Sequence, residues 1–253
     1  MPPPSYVITA VVLGLLVAAS IPPTFGFAII LWRWLFLVAA FVLVTVGAIR
    51  IAYGLHVSPW IGVALAAPAL VWAAQILLYL KGHMVLPLHG AIGVMSSLAF
   101  LISAVCALRL AEMMSRPHAA FLIGYGVLGV YALLVLAEIV ASASVWNFTT
   151  SAPYVTVSRA TIIAVALVKY GAIIGAAVLI TMQRGVESWA AAVIGLVSAY
   201  MIYSTIWPVQ VAAYAGAVMF WVQPVILLIG AAAVWRMGSV LHAQARHESY
   251  VRG

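Results

Sequence analysis

The sequence predicts an all-α, polytopic integral membrane protein with eight transmembrane helices, and three observations carry that prediction. Hydrophobic residues make up 67% of the 253 positions and charged residues only 6%. A water-soluble surface normally needs about a quarter of its residues charged, so lipid is the solvent for this chain. The apolar stretches are continuous rather than alternating, and they run to about 20 residues, the length that spans a hydrocarbon core as a helix. In lipid only helices or closed barrels satisfy the backbone, and unbroken runs select helices.

The spans follow in order. Tyr6–Ser20 is the first, ending near Ile21-Pro22-Pro23; no Lys or Arg precedes it, so it lacks the basic flank of a signal peptide and is expected to be retained. Phe27–Arg50 is the second and Trp60–Leu80 the third. Leu88–Leu108 follows the turn Lys81-Gly82-His83. Phe121–Trp146 is the fifth, and residues 147–157 form the longest polar connection. Ser158–Gly185, Ser188–Trp207 and Val211–Trp235 complete the eight, with a short basic tail after them. Trp residues near span ends read as interfacial belts rather than stacking sites.

An even number of spans puts both ends of the chain on one side. That side collects Arg50, Arg109, Arg116, Arg184, Arg236, Arg246 and Arg252, against Arg33, Lys81 and Arg159 opposite. Seven against three places both termini in the cytoplasm of a prokaryotic-type plasma membrane. The chain reads as a single transmembrane domain with a faint internal repeat over 1–118 and 119–253. Ala91-Ile92-Gly93-Val94-Met95 is echoed by Ala215-Gly216-Ala217-Val218-Met219, which suggests two four-helix bundles.

Charge is the scarce resource here. There is no Asp, and the four acids are Glu112, Glu138, Glu187 and Glu248. Carboxylate clusters for two-metal or glycoside chemistry are excluded by that count. The net charge of +7 sits at helix ends and is not a nucleic-acid signal. Cys106, the single cysteine, lies inside an apolar run and cannot form a disulfide within the chain. The histidines fall at span ends or in the tail, so no inner and outer pair is placed to ligate a transmembrane haem. His83 and His89 with Met84 are the only metal-like grouping, at one surface.

Lys169 is the exception to this economy. It falls about ten residues, roughly 15 Å, inside Ser158–Gly185. Glu138 falls roughly 12 Å inside the preceding span. An ion pair between these neighbouring spans is the least costly way to hold both charges. Tyr131 shares Glu138's face, and Arg33, Gln75, Tyr203, Gln223 and His89 fall in the same half of the membrane. These eight residues form the candidate proton, quinone or substrate site. Gly171 and Gly175 form a small-xxx-small pair on the other face of the same helix, which predicts close packing there. A lysine within a span also evokes a retinal Schiff base, but in the opsins that lysine lies on the last of seven helices, and two spans follow Lys169.

In helix count, length and topology the chain resembles the eight-helix, two-bundle membrane anchors of polysulfide- and dimethylsulfoxide-reductase type. No motif accompanies the resemblance. It implies a membrane subunit of a respiratory or electron-transfer complex that handles quinone and protons without its own haem, with no covalently bound cofactor. Partners would be the lipid bilayer and other subunits. A small secondary transporter with Glu138 and Lys169 as its coupling pair is the second expectation. A structural or assembly subunit is the third. Connections this short leave no room for a soluble catalytic domain, so a stand-alone enzyme is not expected.

Overall fold

The computed structural model describes residues 26–80, 86–115, 119–145, 159–206 and 213–252, with side chains over 35–75, 94–115, 119–137, 139–140, 160–206 and 223–250. The described chain is helical throughout apart from short connections. The helices are α1 (Gly26–Gly54), α2 (Pro59–Leu80), α3 (Leu86–Met114), α4 (Ala119–Val145), α5 (Arg159–Arg184), α6 (Ser188–Ile206) and α7 (Ala213–Arg252). Six of them are long and apolar enough to cross a membrane, and α2 adds a shorter apolar run, Pro59–Gln75. The chain is therefore a multi-pass helical membrane protein. The first expected span, Tyr6–Ser20, lies outside the described residues, as does the whole of 147–157.

The helices pack as a ring. Going round it, α1 contacts α2, α2 contacts α3, α3 contacts α5, α5 contacts α6, α6 contacts α7, and α7 returns to α1. The fourth helix stands outside the ring, against α3 and α5. The most extensive contact, α1 on α7, joins the two sequence halves across the expected repeat boundary. Its cause is small residues. A Cβ built on Gly238 would lie 2.5 Å from the Gly47 carbonyl oxygen, and one on Gly54 would lie 2.5 Å from the Leu241 Cβ. Gly62 brings α2 equally close to the backbone of α1 at Ile49. Close backbone approach of this kind holds helices together where lipid offers no hydrophobic drive. Among the described residues the close packing expected at Gly171 and Gly175 is not found. No described atom lies within 4 Å of a Cβ at either, so the described glycine seams belong to α1 rather than to α5.

Two helix boundaries differ from the sequence reading. The third helix continues to Met114 rather than stopping at Leu108, because Arg109 pairs with Glu112 one turn on and the polar turn stays helical. The last helix does not end at Trp235. It runs 40 residues to Arg252, about 60 Å, and so absorbs the expected basic tail. Hydroxyls inside the apolar helices are satisfied locally: Thr45 donates to the Phe41 carbonyl, Thr181 to Ala177 and Thr205 to Met201, each four residues back.

Polar side chains tie the helices at one end of the ring. Gln183 donates to the Met114 carbonyl at 2.8 Å, and Gln244 to the Arg184 carbonyl at 3.0 Å. These are the orphan carbonyls at the ends of α3 and α5, so neighbouring helices supply the caps. The first helix closes differently. His56 N donates to the Tyr53 carbonyl and Val57 N to Ala52, with His56 at φ 55°, a Schellman ending with histidine where glycine is usual. Gly185, at φ 63°, fills the equivalent place after α5.

Candidate functional site

Lys169 is 5% exposed, on α5 in the interior of the packed helices. Its Nζ lies 4.0 Å from the centroid of Phe100 on α3 and 5.1 Å from that of Tyr170. The two rings meet edge to face at 6.2 Å. No described carboxylate lies within ion-pair reach of this ammonium. A lysine at mid-helix costs about 3 kcal/mol to insert. A desolvated cation over an aromatic face regains about 2 kcal/mol. The rings therefore offset most of the cost of the charge without removing its capacity to donate hydrogen bonds.

The third helix organises the surroundings. Within two turns it presents Ser96, Ser97, Phe100 and Ser103. Ser96 accepts from Gln75 Nε2 of α2 at 3.1 Å. Ser97 hydrogen-bonds the buried Tyr131 of α4. Phe100 carries the Lys169 ammonium, and the fully buried Ser103 donates to the Leu65 carbonyl at 2.8 Å. Three of the residues expected at the site, Lys169, Tyr131 and Gln75, thus all contact this stretch of α3. Tyr203 does not join them; it is 55% exposed on the bundle surface. Gln223 is half-buried on α7, with no described contact to Lys169. The side chains of Glu138, Arg33 and His89 lie outside the described residues, and His83 and Met84 lie outside them entirely.

Phe100 and the three serines were missed in the sequence, and no signal there marks them. A phenylalanine in an apolar run is ordinary; what distinguishes Phe100 is the helix opposite it.

One turn from Lys169 toward the far end of α5 lies a cavity of about 130 Å³ at the centre of the ring. All six ring helices line it, through Ala48, Leu65, Ala107, Ile180, Ile194 and Met237 among others, and every lining residue is apolar. Alanines on α1, α3 and α5 leave the space. The cavity is half open rather than sealed, so an occupant can reach it from outside the bundle.

Beyond the cavity lies the charged end. Arg236 makes a bidentate pair with Glu187, its Nε at 3.0 Å, and Trp189 Nε1 donates to the same carboxylate at 2.7 Å. The Arg236 hydrogen bond is the largest influence on Glu187 and holds its carboxyl below the usual range; partial burial works against this, and Trp189 adds to the lowering. Glu248 lies 3.4 Å from His56 and 3.7 Å from Arg184. Glu112 accepts from Arg109 at 2.6 Å and from the Tyr125 hydroxyl at 3.0 Å. Arg50 sits 4.0 Å over the Trp235 ring, so this tryptophan is a stacking platform and not only an interfacial belt residue. Among the described residues no group of three or more metal-ligating side chains occurs.

The arrangement defines an integral membrane protein with a buried cation above an apolar chamber. No protein-family model, curated protein or solved structure matches the chain.

Proposed function

We propose that the protein is the membrane subunit of a respiratory or electron-transfer complex, handling a quinone-type lipophilic carrier and protons without its own haem. The observation that carries this reading is Lys169: a buried ammonium, held by two rings, next to an apolar cavity. A quinone has the matching chemistry, with carbonyl oxygens that accept hydrogen bonds and an apolar body that prefers the bundle interior. Phe100 and Tyr170 supply flat faces beside the ammonium against which a planar ring can lie. Glu138, on the neighbouring α4, is the carboxyl to which this reading assigns proton transfer. Partner subunits would bring the redox centres in this reading.

The test is direct. Wild-type protein in lipid nanodiscs is titrated with a short-tailed ubiquinone analogue, and tryptophan quenching is followed. Saturable binding is expected, weakened about tenfold to a hundredfold in Lys169→Gln, the worth of one hydrogen bond from a charged donor. Arg109→Gln, at the charged end, is expected to leave binding unchanged. Absence of saturable binding to the wild type would overturn the reading.

We also assign the charged end to the cytoplasm, on the seven-to-three bias of basic residues. Reporter fusions in the 147–157 connection and after Arg252 are expected to report outside and inside respectively. The opposite pattern reverses the orientation.

A further inference from the structure

We infer that the central cavity seats the first isoprene-sized unit of the carrier's tail, while Lys169 holds its head. This rests on the reading of Lys169 given above. Both features share one helix, α5. Lys169, Ile173, Ala176 and Ile180 recur at intervals of four, three and four, so they form one face of α5. The last three line the cavity. Ile173 is about 6 Å and Ala176 about 10 Å along the axis from Lys169. In a 1,4-quinone the tail is attached beside one carbonyl, so a lysine bonded to the other carbonyl leaves the tail about a head group's length away, which is comparable with this rise along the helix.

Size and chemistry agree. The cavity measures about 130 Å³ and carries no polar lining residue. An apolar chamber of about 150 Å³ stays dry and admits a molecule as large as benzene. A five-carbon branched unit is about the size of benzene and meets only alanine, valine, leucine, isoleucine and methionine side chains here. Water has nothing to bond in such a space, so its occupant is hydrocarbon. The alanines are the means of selection. Ala48, Ala107 and Ala177 come from three different helices, and any larger side chain there would fill the room. A polar or charged tail gains nothing from this lining.

The experiment compares two probes on the protein in nanodiscs: a tail-less methyl-benzoquinone, and the same ring bearing one isoprene unit. In the wild type the isoprene unit is expected to raise affinity about tenfold or more beyond its partition into empty nanodiscs, because it fills space inside the bundle that is otherwise left open. In Ala177→Leu that increment is expected to vanish, while the tail-less ring binds as before. Ala48→Val narrows the chamber from α1 and gives the same reading if Ala177→Leu does not fold. An isoprene increment that survives in the filled variant overturns the cavity inference and leaves Lys169's role standing. Failure of the tail-less ring itself to bind the wild type removes both.

Discussion

The two places where this chain carries charge obey opposite economies. At the charged end, arginines and glutamates meet in pairs that are a third to a half exposed, such as Arg236 with Glu187 and Arg184 with Glu248. Water and lipid head groups reach them, so a pair of that kind contributes up to about 1 kcal/mol. Lys169 sits among hydrocarbon with no carboxylate in reach among the described residues, where inserting one ammonium costs about 3 kcal/mol and is offset by rings. The many charges at the end fix how helices meet and contribute little each. The one charge in the middle is costly, and a fold that keeps it has a use for it. The contrast also shows why the pairs can be numerous: their helix ends would be wet without them, whereas at Lys169, among the described residues, Phe100 and Tyr170 stand in for water.

The sharpest way to break this comparison is to ask whether Lys169 has a hidden carboxylate. Lys169→Met alone and Glu138→Gln alone are each expected to lower stability by about 3–5 kcal/mol, because each leaves the other charge buried and uncompensated. The double variant is expected to recover most of that loss. Thermal denaturation in detergent or lipid reads the cycle. Strictly additive losses would separate the two residues and leave Lys169 to its rings.

A smaller effect isolates those rings. Phe100→Leu keeps an apolar side chain of similar bulk but removes the aromatic face, with an expected loss of about 2 kcal/mol. In a Lys169→Met background the same change is expected to cost far less, since no cation remains for the ring to hold. An equal loss in both backgrounds would mean that Phe100 only packs.

The smallest effect belongs to the charged end. The Glu187 carboxyl is held below its ordinary range by Arg236, so it binds a proton less readily folded than unfolded. A depressed carboxyl contributes stability that is present above the ordinary range and lost as the pH falls through the folded value. Melting temperatures taken from neutral pH downward should therefore show a small acid-side decline attributable to Glu187. Exposure limits it to less than about 1 kcal/mol. Glu187→Gln should remove that component, and an unchanged acid profile would show that the pair contributes nothing.

Much of this fold is legible in the chain, because hydropathy and helix length are local properties. Gly26–Gly54, Pro59–Leu80, Ala119–Val145, Arg159–Arg184 and Ser188–Ile206 each start within a few residues of the apolar runs that signal them. The misreadings share one cause. Hydropathy marks where lipid ends, not where the helix ends. Trp235-Arg236 has the look of a membrane boundary, yet α7 continues because Arg236 finds a partner in the connection between α5 and α6, and Gln244 and Glu248 find theirs at the end of α5. Those partners are 49 and 60 residues away in sequence for Arg236 and Gln244, beyond any periodic pattern. Lys169 was visible as a charge in an apolar run, and Tyr131 and Gln75 as polar residues at its depth. Phe100 was not, since its role depends on the register of α3 against α5. Glycine misled for the same reason: spacing singled out Gly171 and Gly175, while Gly47, Gly54 and Gly238 make the contacts.

The seam between α1 and α7 has a consequence for how the protein is made. Arg50 and Ser239, which meet across it at 3.0 Å, are 189 residues apart. At synthesis rates of about 5–20 residues per second, α1 waits roughly ten to forty seconds in the bilayer before its chief neighbour emerges. Throughout that interval its glycine-lined flank faces lipid, or whatever else is at hand. The ring is thus sealed late, by its last described helix, and a ribosome that stalls before Gly238 leaves behind an open horseshoe rather than a smaller version of the fold.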